Sequence, residues 1–150
     1  MKRVERQATI GAPPDELFAY VSDLDKLSEW QTGVVSARRT SAGEIGVGAT
    51  ALVTRVVLGN RVDAPLTITE HDPPRRLAIG SEVSGVKAHA TLDLAPYQNG
   101  EATDLSFAME IRGSMLTSFM EPMIAAAAGG DIEATLARLK KRFEGEAEPT

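Results

Sequence analysis

At 150 residues, with 43% hydrophobic and 25% charged side chains, the chain has the length and balance of one globular domain with a substantial core. A net charge of −5 argues against a nucleic-acid or other polyphosphate partner, which would need clustered Lys and Arg. Cysteine is absent, so disulfides, thiolate zinc sites and cysteine nucleophiles are excluded.

The charged N-terminus, Met1 to Gln7, leads into a strand pattern and not an apolar signal core. No apolar run approaches the ~20 residues that a membrane span needs. A soluble, cytoplasmic protein without an integral membrane segment is expected.

Val4, Arg6, Ala8 and Ile10 alternate with polar neighbours and predict a first strand. Pro13-Pro14-Asp15-Glu16 then opens a helix, since proline fits the first turn and acids suit the positive end of the dipole. Leu17, Phe18, Tyr20 and Val21 form its buried face. Ser22 or Asp23 caps a second short helix through Leu27, with Trp30 at its exit. Val34 to Thr40 is the second strand, and Ser41 to Glu44 a loop.

Three tight turns set the register of the middle strands. Gly59-Asn60 reads as a two-residue hairpin turn, pairing Arg55 with Ala64 and Val53 with Leu66. Ser84-Gly85 pairs Ser81 with Ala88 and Leu77 with Leu92. The connection Tyr97 to Gly100 pairs Leu92 with Leu105 and Ala90 with Phe107. All three give one apolar face, and a slip of one residue would invert it. Pro65, inside a strand run, requires a bulge or a position whose N–H the ladder does not use. Gly46, Gly48 and Gly113 read as turn and bulge residues, because no phosphate-loop pattern surrounds them.

From Ser114 to about Gly145, apolar residues recur at spacings of three and four, which predicts a long amphipathic helix. Pro122 and Gly129-Gly130 predict a kink, bulge or break. The last residues, 146–150, are expected to fray. An antiparallel sheet with two small helices and a closing helix makes an α+β domain spanning 1–145.

Five segments in this order are similar to the START-like helix-grip superfamily, often called SRPBCC. They are IGAPPDELFAYVSDLDKLSEW, the HDPPRRL turn, SGVKAHATLDLAP, NGEATDLSF, and the terminal helix FMEPMI…LARLKKRFE. The resemblance implies a curved seven-stranded antiparallel sheet gripping the C-terminal helix, with an apolar cavity between them. It also implies a lipid-carrying, ligand-binding or polyketide cyclase/dehydrase role. It supplies no family-wide catalytic residue to carry over.

Site candidates therefore rest on which face each residue shares. Parity sets His71 and His89, the only two histidines, on the outer face, where surface roles are the plainer reading. Glu110 falls opposite Lys87 as an exposed cross-strand pair. Arg55 shares the inner face with Val53 and Val57, where an enclosed guanidinium needs acceptors. A ligand carboxylate, phenolate or carbonyl would supply them; Glu70 or an escape to the cavity mouth is the alternative. Ser81 also faces inward and could orient a ligand hydroxyl, although it is no nucleophile without a histidine beside it. Trp30, Phe107, Met109, Met115, Phe119 and Met123 are candidate lining or plain core. Ala51, Ala64, Ala88 and Ala90 are small for positions beneath a helix, so either the helix settles onto them or a ligand fills the space.

The reading that follows is binding or carriage of a small hydrophobic molecule, such as a lipid, isoprenoid or aromatic metabolite, by a monomer or homodimer. No metal or cofactor is called for. The alternatives are a cyclase/dehydrase-type enzyme in which Arg55 stabilises an enolate or carbonyl, and a protein-interaction module. The polar outer face speaks against the last.

Overall fold

The computed structural model describes residues 2–57, 59–83, 86–113 and 121–144. The alternating opening forms β1 (Lys2–Ile10), which buries Val4 and Ile10. Pro14 occupies the first turn of α1 (Pro14–Val21), with Asp15 and Glu16 beside it at the positive end of the helix. The Asp23 carboxylate then accepts from the Asp25 N–H to start a 3₁₀ turn (Leu24–Lys26), followed directly by α2 (Leu27–Trp30).

Six strands follow: β2 (Val34–Arg39), β3 (Thr50–Val57), β4 (Asn60–Asp72), β5 (Arg76–Val83), β6 (Val86–Tyr97) and β7 (Ala102–Gly113). They form one antiparallel sheet with β1, in the order β1-β7-β6-β5-β4-β3-β2. The edge strands are therefore β1 and β2. The helical segment between them carries the chain from one edge to the other, across the face that holds the core.

The expected register holds for the β5–β6 hairpin, where Ser81 faces Ala88 and Leu77 faces Leu92. The other two hairpins are displaced by two residues. Val57 pairs with Asn60, so Arg55 meets Val62 and Val53 meets Ala64. Across β6 and β7, Tyr97 pairs with Ala102, bringing Leu92 to Phe107 and Ala90 to Met109. A two-residue shift changes partners but preserves faces, because side chains alternate with period two.

Glu110 consequently lies opposite His89 and not Lys87, and its ion pair, at 3.5 Å, is with Arg3 of β1. Pro65 faces Leu52 of β3, while pairing with β5 ends at Leu66↔Ser81, one residue short of it. The missing N–H thus falls where that ladder stops.

A bulge between Ile68 and Glu70 does change faces. It turns Glu70 outward, where its Oε1 accepts from Arg76 Nε at 2.8 Å, so Glu70 is not the internal partner considered for Arg55. His71 moves the other way. It lies opposite the buried Leu77, with its ring edge-on to Phe18 at 5.4 Å, and so corrects the expectation of an outer-face histidine. His89 stays outside, its Nε2 sharing a hydrogen bond with Thr69 Oγ1 at 3.0 Å.

The C-terminal helix α3 (Glu121–Glu144) runs through Gly129-Gly130 without a break, one of the three outcomes expected there. Its 24 residues correspond to about 36 Å. Ile132, Leu136 and Leu139 repeat at helical spacing and are buried, with charged residues on the opposite side. Gly129 marks a close approach: a Cβ there would come within 2.9 Å of Arg6 Nη2 and 3.5 Å of Val4 Cγ1 on β1. Glycine is used for proximity here and not as a hinge.

Candidate ligand-binding site

Helix α3 is fastened to both edges of the sheet. Toward β1, Arg6 Nε donates to Glu133 Oε2 at 2.9 Å and Lys140 Nζ donates to the Thr9 carbonyl at 3.1 Å. Toward the opposite edge, the Thr32 N–H between α2 and β2 donates to Thr135 Oγ1 at 3.0 Å. Asp131, one turn earlier on α3, is the charge neighbour of Arg55 on β3.

Under this bridge the sheet presents inward rows that register fixes across the strands. One row runs Arg39, Ala51, Leu66, Ser81, Ala88 and Ile111 from β2 to β7. The next contains Ile68, Ile79, Ala90 and Met109. Ala51 is closed off, yet Ser81, Ala88, Ala90 and Met109 remain only half-buried. A helix lying flush on alanines would bury them, since interiors close-pack. Small, half-buried side chains therefore line the inner face of the central strands.

Arg55 faces this side, half-buried, in register with Val34 and Val62 on its two neighbours. Burial pulls its pKa below the ordinary arginine value, an effect that the Asp131 carboxylate opposes. Asp131 is pushed up by its own desolvation, with Arg55 opposing in turn. Gly33 lies beside the guanidinium, Arg55 Nη2 being 3.8 Å from where a Cβ would stand. The arginine remains charged at any working pH and presents donors only.

Trp30 and Phe107 meet edge-on with ring centroids 6.4 Å apart, both almost fully enclosed. They form the closed end of the core, and Met109, two residues along β7, is the next inward side chain. Met115 and Phe119 lie outside the described residues; Met123 falls within α3, its side chain outside what is described. The structure thus brings Arg55, Ser81 and Met109 to the inner face of the sheet, with Trp30 and Phe107 packed against each other at one end.

Arg39, Asp131 and Thr135 were not singled out from sequence. Arg39 reaches the inner face because β2 carries an irregularity between Val34 and Ser36 that resets the alternation. The consecutive Val34-Val35 was the available signal, as Val35 is 44% exposed while Val34 is buried. Asp131 and Thr135 meet Arg55 and Thr32 because the helix spans two sheet edges, which its own periodicity does not reveal.

Among the described residues, no helix is long and apolar enough to cross a membrane and no cluster of potential metal ligands is present.

Residues 1–144 match the family described as polyketide cyclase/dehydrase and lipid transport. The chain is 28% identical over 144 residues to an uncharacterized protein of Mycobacterium tuberculosis, Rv1546, covering 95% of this chain and 99% of that one. It is 27% identical over 148 residues to a second protein of that organism named Toxin Rv0910, covering 97% and 100% of the two chains. A START superfamily protein from Mycobacterium smegmatis superimposes with a TM-score of 0.80 at 13% identity, over 95% of this chain and 97% of its own. This protein belongs to the polyketide cyclase/dehydrase and lipid transport family and carries its START-like helix-grip fold.

Proposed function

We propose that this protein binds or carries a small hydrophobic molecule, such as a lipid, isoprenoid or aromatic metabolite, in the hollow between the sheet and α3. The observation that carries the reading is the half-buried state of Ala88, Ala90 and Ser81 on the inner face of the sheet, whose two edges α3 ties together. An apolar hollow with few polar groups suits such a ligand. Arg55 would meet its carbonyl, phenolate or carboxylate oxygen, and Ser81 would orient a hydroxyl.

Geometry favours binding over proton-transfer chemistry at Arg55. His71, the inward histidine, lies about nine residues along β4 from Val62, the cross-strand neighbour of Arg55, or on the order of 25–30 Å of strand. That is far beyond the reach of a general base.

Native mass spectrometry of the freshly purified protein, followed by a thermal-shift panel of apolar compounds, tests the proposal. A retained or stabilising apolar ligand is expected. Ala90→Trp should fill the space and abolish that stabilisation while leaving a folded protein. Undiminished binding in A90W, or an absence of binding across the panel, would refute the reading.

A further inference from the structure

Among the described residues, the buried side-chain polar atoms without any hydrogen-bond partner fall on one ten-residue stretch: Trp30 Nε1, Thr32 Oγ1, and Arg39 Nε and Nη2. Arg39 carries the heaviest consequence. Its two unpaired nitrogens form the side-on edge of the guanidinium, the fork that takes a carboxylate through two parallel hydrogen bonds. A charged donor enclosed without an acceptor is among the more costly arrangements a fold can hold.

Its neighbours do not relieve it. The Asp25 carboxylate accepts from the Arg39 backbone N–H at 2.7 Å, so that oxygen serves the main chain. The same-face residues around the fork are apolar and small: Ala37 on its own strand and Ala51 directly across on β3. Arg39 lies in the same inward row as Ser81 and Ala88. It is separated from Arg55 by four residues of β3, about 13 Å, and is therefore a distinct site.

We infer that Arg39 is a carboxylate seat, and that the molecule held in the hollow is an apolar body bearing an acidic group. This assignment rests on the ligand-binding reading above and narrows it to apolar acids. The fork is shut in as it stands, so seating the carboxylate requires its cover to shift. That cover is the 3₁₀ turn, which packs on β2 and β3, is a single turn long, and is tied to β2 through the Asp25–Arg39 bond. The incoming carboxylate supplies the acceptor that no side chain provides.

The test compares cis-parinaric acid with its methyl ester, two probes of one polyene chain whose fluorescence rises on binding. The wild-type protein should bind the acid about tenfold or more tightly than the ester, as a charge-assisted pair requires. Arg39→Lys keeps a charge but lacks the fork, and should bring the acid close to the ester while leaving the ester unchanged. R39M should do the same, whereas Arg38→Met, on the exposed outer face of β2, should keep the acid preference. Equal binding of acid and ester to the wild type would overturn the assignment and leave the hydrophobic hollow standing. A preference that survives in R39K, or disappears equally in R38M, would also overturn it. Binding of neither probe would remove both readings.

Discussion

Arg55 on β3 and Asp131 on α3 are charge neighbours between sheet and helix, each paying desolvation that the other partly offsets. The sign for Asp131 follows from its raised pKa. Its protonated form is preferred in the folded state, so stability is lost as pH rises above the ordinary aspartate value near 3.8. Asp131→Asn should therefore stabilise the protein at neutral pH, by less than about 1 kcal/mol for a partly solvated group, with the gain vanishing near pH 3. Removing the opposing charge with Arg55→Met should make the neutral-pH penalty larger. Melting temperatures of the three proteins across that pH range check both signs, and an identical pH profile for D131N and wild type would contradict the account.

The paired glycines of α3 should separate in a helix-propensity test. Gly130 is exposed and a Cβ there meets nothing within 4 Å, so Gly130→Ala should stabilise by about 0.5–1 kcal/mol through backbone entropy. At Gly129 the added methyl meets Arg6 Nη2, on a guanidinium whose Nε is held by Glu133. G129A should gain clearly less, or lose stability if Arg6 cannot swing away. Urea denaturation of the two variants measures the difference, and equal gains would mean that Gly129 has no packing role.

The contrast between faces and partners explains how much was legible in the chain. Alternation fixes which side each strand residue occupies, so Arg55, Ser81 and Met109 were assigned inward correctly even where hairpin partners were displaced by two. Alternation fails at a bulge, because one extra residue reverses everything beyond it. That reversal moved His71 inward and Glu70 outward, and the other irregularity, in β2, turned Arg39 toward the core. The role of the helix glycines was not legible for a different reason: Gly129 answers to β1, a strand more than a hundred residues away, and not to the helix in which it sits.

A single carboxylate joins the end of α3 to the turn after β1. Glu144 Oε2 accepts from the Gly11 N–H at 3.0 Å and from Lys140 Nζ at 3.1 Å. Glu144→Ala should therefore cost about 1 kcal/mol and raise amide exchange at Gly11, while Lys140→Ala, which gives up the Thr9 carbonyl but leaves the Gly11 bond intact, should leave that exchange unchanged. Hydrogen-exchange NMR reads the Gly11 amide directly. Unchanged protection in E144A would show that the contact does not hold the two elements together.

Tyr20 supplies a second tie to the same helix, and one that alkali should cut. Its hydroxyl donates to Glu29 Oε1 at 2.9 Å, Phe143 packs edge-on to its ring at 5.4 Å, and the Arg142 guanidinium lies 4.5 Å from the ring centroid. Burial, and then the hydrogen bond to Glu29, push the phenol up from 10.0 to about 12. A raised acid is protonated in the folded state while the unfolded chain has already ionised, so this contribution is complete below pH 10 and drains away as pH climbs toward about 12. Tyr20→Phe should cost about 1 kcal/mol at neutral pH, the ordinary worth of one hydrogen bond, and flatten the decline of stability over that alkaline window. Denaturant melts of wild type and Y20F at stepped alkaline pH, with tyrosinate absorbance recorded alongside, make the comparison. If both proteins lose stability in parallel, the Tyr20–Glu29 bond is not what resists ionisation, and the tie between α1, α2 and α3 rests on ring packing alone.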